Sequence, residues 1–206
     1  FPAIKPMLSF GFNVLGANIF NYFAENMVGI LTGKFLGKEI MGDFNIAYNL
    51  AIVPATKIKN ILLKVIGASF AKIQNDKKSF YRNSAKAVSY LSFLFIPLMI
   101  WISTSSSYII HLLYGSDWLD AVPMLQIMAV VGLLKGLIHF IRSQLYVKNK
   151  AHHVFYASII DVVISLPLMY FMLEDFGVTG LLYAYLAGAV GSFLYLMIQY
   201  NKLFGK

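Results

Sequence analysis

Apolar residues dominate this chain in long stretches, and the polar positions interrupting them are few. A helix needs about 20 predominantly apolar residues to cross roughly 30 Å of hydrocarbon. Six such runs are predicted, over residues 7–31, 41–63, 87–103, 121–146, 154–173 and 178–200. The fold class is therefore all-α: residues 1–206 form a single six-helix transmembrane lobe. Thr32-Gly33-Lys34 ends the first run, and a loop with two glycines leads to Gly42. Helical character after Met41 persists to Phe70, longer than a bilayer is thick, and Pro54 within it favours a kink. Pro97 falls near the middle of the third run, and Thr104-Ser105-Ser106-Ser107 breaks it. Tyr108 to Leu113 is too short to cross and is predicted at the interface, before a polar turn from Tyr114 to Asp120. Glu174-Asp175-Phe176-Gly177 makes a short acidic turn between the last two runs. The small residues Gly180, Ala184, Gly188 and Gly191 in the final run allow close helix packing.

Composition agrees with this pattern. Hydrophobic residues make up 59% of the chain and charged residues only 13%, half the proportion of about 25% that soluble domains carry. The formal net charge of +8 is that of a membrane protein with basic cytoplasmic loops, and no nucleic-acid partner is expected. Membrane lipids are the surrounding partner. The absence of cysteine excludes disulfides and thiolate chemistry. No signal peptide precedes Phe1, and the chain reads as a fragment whose earlier part is missing.

The loops set the orientation. One set of helix ends holds Lys5, Lys72, Lys77, Lys78, Arg82, Lys86, Arg142, Lys148, Lys150, Lys202 and Lys206, eleven cations. The opposite set holds only Lys34 and Lys38, beside Glu39, Asp43, Asp117, Asp120, Glu174 and Asp175. Because Lys and Arg mark the cytoplasmic side, both termini are expected there.

Charges inside the spans are the candidate chemistry, since each one costs roughly 3 kcal/mol at the bilayer centre on insertion scales. Met128, Gly132, Lys135, His139, Arg142 and Tyr146 fall within about 80° on one helical face. An otherwise apolar helix thus carries a basic stripe. The next span holds Asp161, with Ser158 and Ser165 on the same face. Lys135 and Asp161 either pair simply to allow packing or line a water-filled path, their pairing broken or bridged by substrate or ion. A cationic stripe in a cavity suits an anionic ligand, above all a phosphate held by Arg through two parallel hydrogen bonds. Lys135, His139 and Arg142 are accordingly substrate-binding candidates. Lys57, Asn60 and Lys64 repeat at helical spacing; Lys57 and Lys64 either snorkel to the interface or join that set. Glu25, which shares a face with Asn18 and Asn21, and Asp161 are the ion-coupling candidates. His152-His153 reads as a solvated turn, because adjacent histidines do not share a helical face. No metal, cofactor or catalytic centre is expected.

The residues Leu113-Tyr114-Gly115-Ser116-Asp117-Trp118-Leu119-Asp120-Ala121-Val122-Pro123-Met124-Leu125-Gln126-Ile127 resemble a pattern of bacterial polysaccharide exporters: a leucine-rich end, Gly, two residues, Trp, then Ala-x-Pro-x-Leu-x-Ile. Phe35-Leu36-Gly37, then Met41 to Tyr48 and on to Pro54, resembles a second family region, with Phe44 where Tyr is usual. Phe70-Ala71-Lys72-Ile73-Gln74-Asn75-Asp76 resembles a third, Phe-Ser-Arg-x-Gln-x-Asp. The family is that of the O-antigen and exopolysaccharide flippases, related to multidrug and toxin extrusion transporters. The resemblance implies one lobe of a two-lobe transporter, its second half, with the N-terminal lobe of the same protein as its partner. It further implies a central cavity carrying undecaprenyl-pyrophosphate-linked oligosaccharide across the bacterial inner (cytoplasmic) membrane, cavity cations that meet the pyrophosphate, and inward ion flow as the energy source. No family motif fixes Lys135, Arg142, Glu25 or Asp161 in those roles. Two alternatives stand beside this reading: a cation-coupled small-molecule or multidrug exporter, and a membrane-embedded glycosyl or phosphoryl transferase. The second would need clustered acids near the cytoplasmic face, where Asp76 is the only acid outside the membrane.

Overall fold

A computed structural model describes residues 4–72 and 76–204, apart from the side chains of 4–6, 55, 58–69, 71, 72, 77, 78 and 204. The described residues are helical almost throughout, without a strand. The helices are α1 (Ile4–Leu31), α2 (Lys38–Lys72), α3 (Lys77–Thr104), α4 (Ser106–Tyr114), α5 (Ala121–Val147) and α6 (Ala151–Phe204). Among the described residues, three segments are long and apolar enough to cross a membrane, Ser79–Thr104, Ala121–Val147 and Ala151–Leu203. The outer faces of the bundle match a lipid surround: Phe12 on α1, Phe93 on α3 and Phe171 on α6 are 71%, 82% and 70% exposed. A water-facing surface would hide such rings.

α6 is not one rod. Gly177 has φ 54° and ψ −135°, outside the helical region, a conformation that glycine adopts without Cβ strain. The chain reverses there. A Cβ on Gly188 would stand 2.6 Å from the carbonyl oxygen of Asp161, and one on Gly191 would meet Ile164 Cδ1. Residues that far apart along a straight helix would be separated by about 40 Å. The two limbs therefore form an antiparallel hairpin zipped by glycine, as the small residues of the last run predict. The acidic turn is tighter than expected, because Glu174 to Phe176 remain helical and Gly177 alone leaves helical geometry.

The anticipated loop between the first two runs is also mostly helical. α1 passes into a π-helical turn, Thr32–Leu36, where Thr32 Oγ1 donates to the Val28 carbonyl at 2.7 Å. Gly37, with φ 93°, ends it, and α2 begins at Lys38. α2 then runs 35 residues through Pro54 without a break. Asp76 caps α3 by accepting from the Ser79 amide at 3.1 Å, one of the donors a helix start leaves unpaired.

α5 is the axle of the bundle. It packs against α2, α3 and α6, while α1 lies along α6. Its buried side chains point to several sides, Ile138 and Leu145 on one and Ala129 and Phe140 on another. Gly132 is required where α2 crosses, because a Cβ there would stand 3.0 Å from the Ala51 carbonyl oxygen. Ser84 on α3 donates to Gln144 Oε1 at 3.1 Å, a buried polar tie to α5.

Candidate functional site

Lys135 sits midway along α5, with its side chain pointing into the junction with α6. Its Nζ lies 2.7 Å from Asp161 Oδ2, and the two side chains are 7% and 0% exposed. It is the only salt bridge among the described residues. The ring of Tyr185, from the second limb of α6, lies under the ammonium, 4.7 Å to the centroid. Lys135 is thus neutralised by the first limb and stacked on by the second, the compensation a cation in hydrocarbon needs. Gly188 is what lets the hairpin close over Asp161: a Cβ there would press on Asp161 O and Oδ1, both at 2.6 Å, and on Ser165 Cβ at 2.9 Å. Three oxygens around the pair, Asp161 Oδ1, Ser165 Oγ and Tyr185 Oη, are buried with no hydrogen-bond partner. Buried polar atoms are normally satisfied.

Arg142 lies two turns further along α5, about 10 Å from Lys135 by helical rise. It is only 5% exposed, so its guanidinium belongs to the helix interior, and it leaves the set of cytoplasmic loop charges. Nη1 donates to Asn21 Oδ1 on α1 at 2.7 Å. Nε and Nη2 are buried and unpartnered. Two free N–H groups on one guanidinium edge are the fork that grips a phosphate or carboxylate.

The other candidates scatter. His139, half-buried, lies on α5 between Lys135 and Arg142. Lys57 is exposed on α2, and the side chain of Lys64 lies outside the described residues. Glu25 is half-buried, and with Asn26, Asn45 and Tyr48 it lines a cleft of about 300 Å³ between α1 and α2. The structure thus brings together Lys135 with Asp161, and Arg142 with Asn21, while Glu25 lines its own cleft yet stays within electrostatic reach of Arg142 and Tyr185. Tyr185 went unnoticed in the sequence. Asn21 was visible on a polar face, yet nothing local pointed to a partner 121 positions away.

A bundle with a lipid-compatible exterior and ionic groups at its centre defines a helical membrane protein. The chain belongs to the polysaccharide biosynthesis protein family, whose model matches residues 1–123. Its relatives include the lipopolysaccharide biosynthesis protein WzxC of Escherichia coli, 30% identical over 80% of this chain and 34% of that protein. The teichuronic acid biosynthesis protein TuaB of Bacillus subtilis is 32% identical over 74% of this chain and 32% of its own length. The succinoglycan biosynthesis transport protein ExoT of Rhizobium meliloti is 22% identical over 63% of this chain and 26% of its own. The chain spans about a third of the length of the curated relatives it matches. No solved structure matches it.

Proposed function

We propose that this chain is one six-span lobe of a two-lobe transporter that moves undecaprenyl-pyrophosphate-linked oligosaccharide across the bacterial inner membrane. In this reading the spans are α1, α2, α3, α5 and the two limbs of α6, with both ends cytoplasmic. The charge asymmetry supports it: without Arg142, ten cations remain on one set of helix ends against Lys34 and Lys38 on the other. Family membership and the transport role in the name of a relative support the activity.

One observation carries the substrate assignment, the buried guanidinium of Arg142 with Nε and Nη2 unpartnered beside Asn21. A pyrophosphate oxygen reaching that edge once α1 separates from α5 completes its hydrogen bonds, with His139 next along the stripe. Lys135 is held by Asp161 until a proton or cation neutralises the carboxylate, which frees a second positive charge for the substrate. Asp161 is then the coupling group, Glu25 a second ion candidate in its own cleft, and Lys57 and Lys64 peripheral cations at the interface. The test is export in cells expressing the full-length protein. Arg142→Gln should cut surface polysaccharide severely at normal protein level, and Arg142→Lys should retain more. Normal export by Arg142→Gln would contradict the assignment.

A further inference from the structure

A groove of about 600 Å³ lies between the end of α1 with its π-helical turn and the end of the first limb of α6. That volume is within the range of about 300–1,000 Å³ typical of ligand sites. Met27, Leu31, Leu36, Leu166 and Leu173 make an apolar floor, with Phe35 and Tyr170 beside them. Lys34 and Glu174 are the charged residues that line it, and both are exposed. They make no salt bridge with each other, since the only one among the described residues is Lys135–Asp161. Lys34 instead lies near the Phe35 ring, its Nζ 5.3 Å from the centroid.

We infer that this groove binds one zwitterionic phospholipid, its acyl chain on the apolar floor, its phosphate at Lys34 and its ammonium at Glu174. An acyl chain reaches such a floor without crossing water only where the groove opens to lipid. It does open to lipid, because exposed Phe171 flanks Tyr170 on the outer face of α6. The mouth then selects the headgroup. One cation and one anion lining the same groove, with no salt bridge between them, match a phosphate with an ammonium. A purely anionic headgroup would satisfy Lys34 and be repelled by Glu174. The same argument disfavours the pyrophosphate of a lipid-linked sugar, which brings at least two negative charges to that carboxylate. Membership of the transporter family is not needed for this inference, and its test is independent of export.

The test is native mass spectrometry of the full-length protein, incubated with phosphatidylethanolamine, phosphatidylglycerol or undecaprenyl pyrophosphate. Wild type should retain one phosphatidylethanolamine in preference to phosphatidylglycerol. Lys34→Gln and Glu174→Gln, at exposed positions that folding does not need, should each weaken that retention about tenfold, the scale of a lost charge-assisted hydrogen bond. Glu174→Lys should invert the preference toward phosphatidylglycerol. Leu173→Trp, which fills the floor, should abolish retention of both phospholipids. Equal retention of the two by wild type, or indifference to both Gln variants, overturns the inference. So does displacement of bound phosphatidylethanolamine by undecaprenyl pyrophosphate from wild type but not from Leu173→Trp, which would make the groove the substrate's own.

Discussion

Breaking the Lys135–Asp161 pair from either side should destabilise the protein. Removing one partner of a buried ion pair leaves an uncompensated charge and costs about 3–5 kcal/mol. Asp161→Ala strands the ammonium, but the Tyr185 ring at 4.7 Å remains and returns about 1–2 kcal/mol as a desolvated cation–π contact. The expected net cost is about 2–3 kcal/mol. Lys135→Met strands a carboxylate that is fully buried and has no partner at Oδ1, with only the Arg142 charge within reach, so it should cost at least as much. Lys135→Met with Asp161→Asn removes both charges, and should lie within about 1 kcal/mol of wild type, because replacing a whole buried pair is often neutral. A charge swap should restore less, since Gly188 crowds position 161 and leaves little room for a lysine stem. The assay is thermal melting of the detergent-solubilised full-length protein. Single variants that melt like wild type, or additive effects in the double variant, would refute the reasoning.

Other consequences follow from the packing and the charge pattern. Gly188→Val should lower the melting temperature as much as losing the ion pair, because its side chain meets the Asp161 carbonyl, which cannot move without opening the hairpin; a silent Gly188→Val would mean the limbs are further apart. Gln144→Ala should cost about 1–2 kcal/mol in the same assay, by stranding the buried Ser84 hydroxyl, and Ser84→Ala with Gln144→Leu should recover most of it. Single cysteines at Arg82 and Lys202 should resist an impermeant maleimide in intact cells, whereas cysteines at Ser107, Asp117 and Asp175, all exposed, should react. Labelling at Arg82 from outside would overturn the orientation. Ser106 is a poor reporter, being buried and hydrogen-bonded to Gln126 at 3.3 Å.

What could be read from the sequence was whatever depends on helical period and bilayer thickness. The stripe through Lys135, His139 and Arg142 and the small-residue face at Gly180, Gly188 and Gly191 are periodic features, and in the structure they face other helices. The Lys135–Asp161 contact was legible because two opposite charges on consecutive spans have few other ways to be neutralised. Arg142–Asn21 was not, since it joins α5 to α1 across the whole fold and depends on which helices become neighbours. Tyr185 was hidden for a different reason: in a chain with 13 tyrosines, one more aromatic on an apolar helix carries no signal until a cation is found above its ring. The π-helical turn at Thr32–Leu36 looked like a loop because Gly33 and Gly37 disfavour regular helix and Lys34 ends the apolar run, while the Thr32 hydroxyl bond within it is invisible to composition. Arg142 misled the loop count because its burial is a tertiary property.

The central claim is that the unpartnered edge of Arg142 receives the pyrophosphate of a lipid-linked substrate. Direct binding tests it most plainly: undecaprenyl pyrophosphate titrated into the purified full-length protein, wild type against Arg142→Gln and Arg142→Lys, each first shown to melt cooperatively. A charge-assisted contact worth about 1.5–3 kcal/mol predicts that Arg142→Gln binds roughly 10- to 100-fold more weakly. Arg142→Lys should fall between, keeping the charge but losing the two-pronged geometry. An Arg142→Gln protein that is folded and binds undecaprenyl pyrophosphate as tightly as wild type would contradict the account.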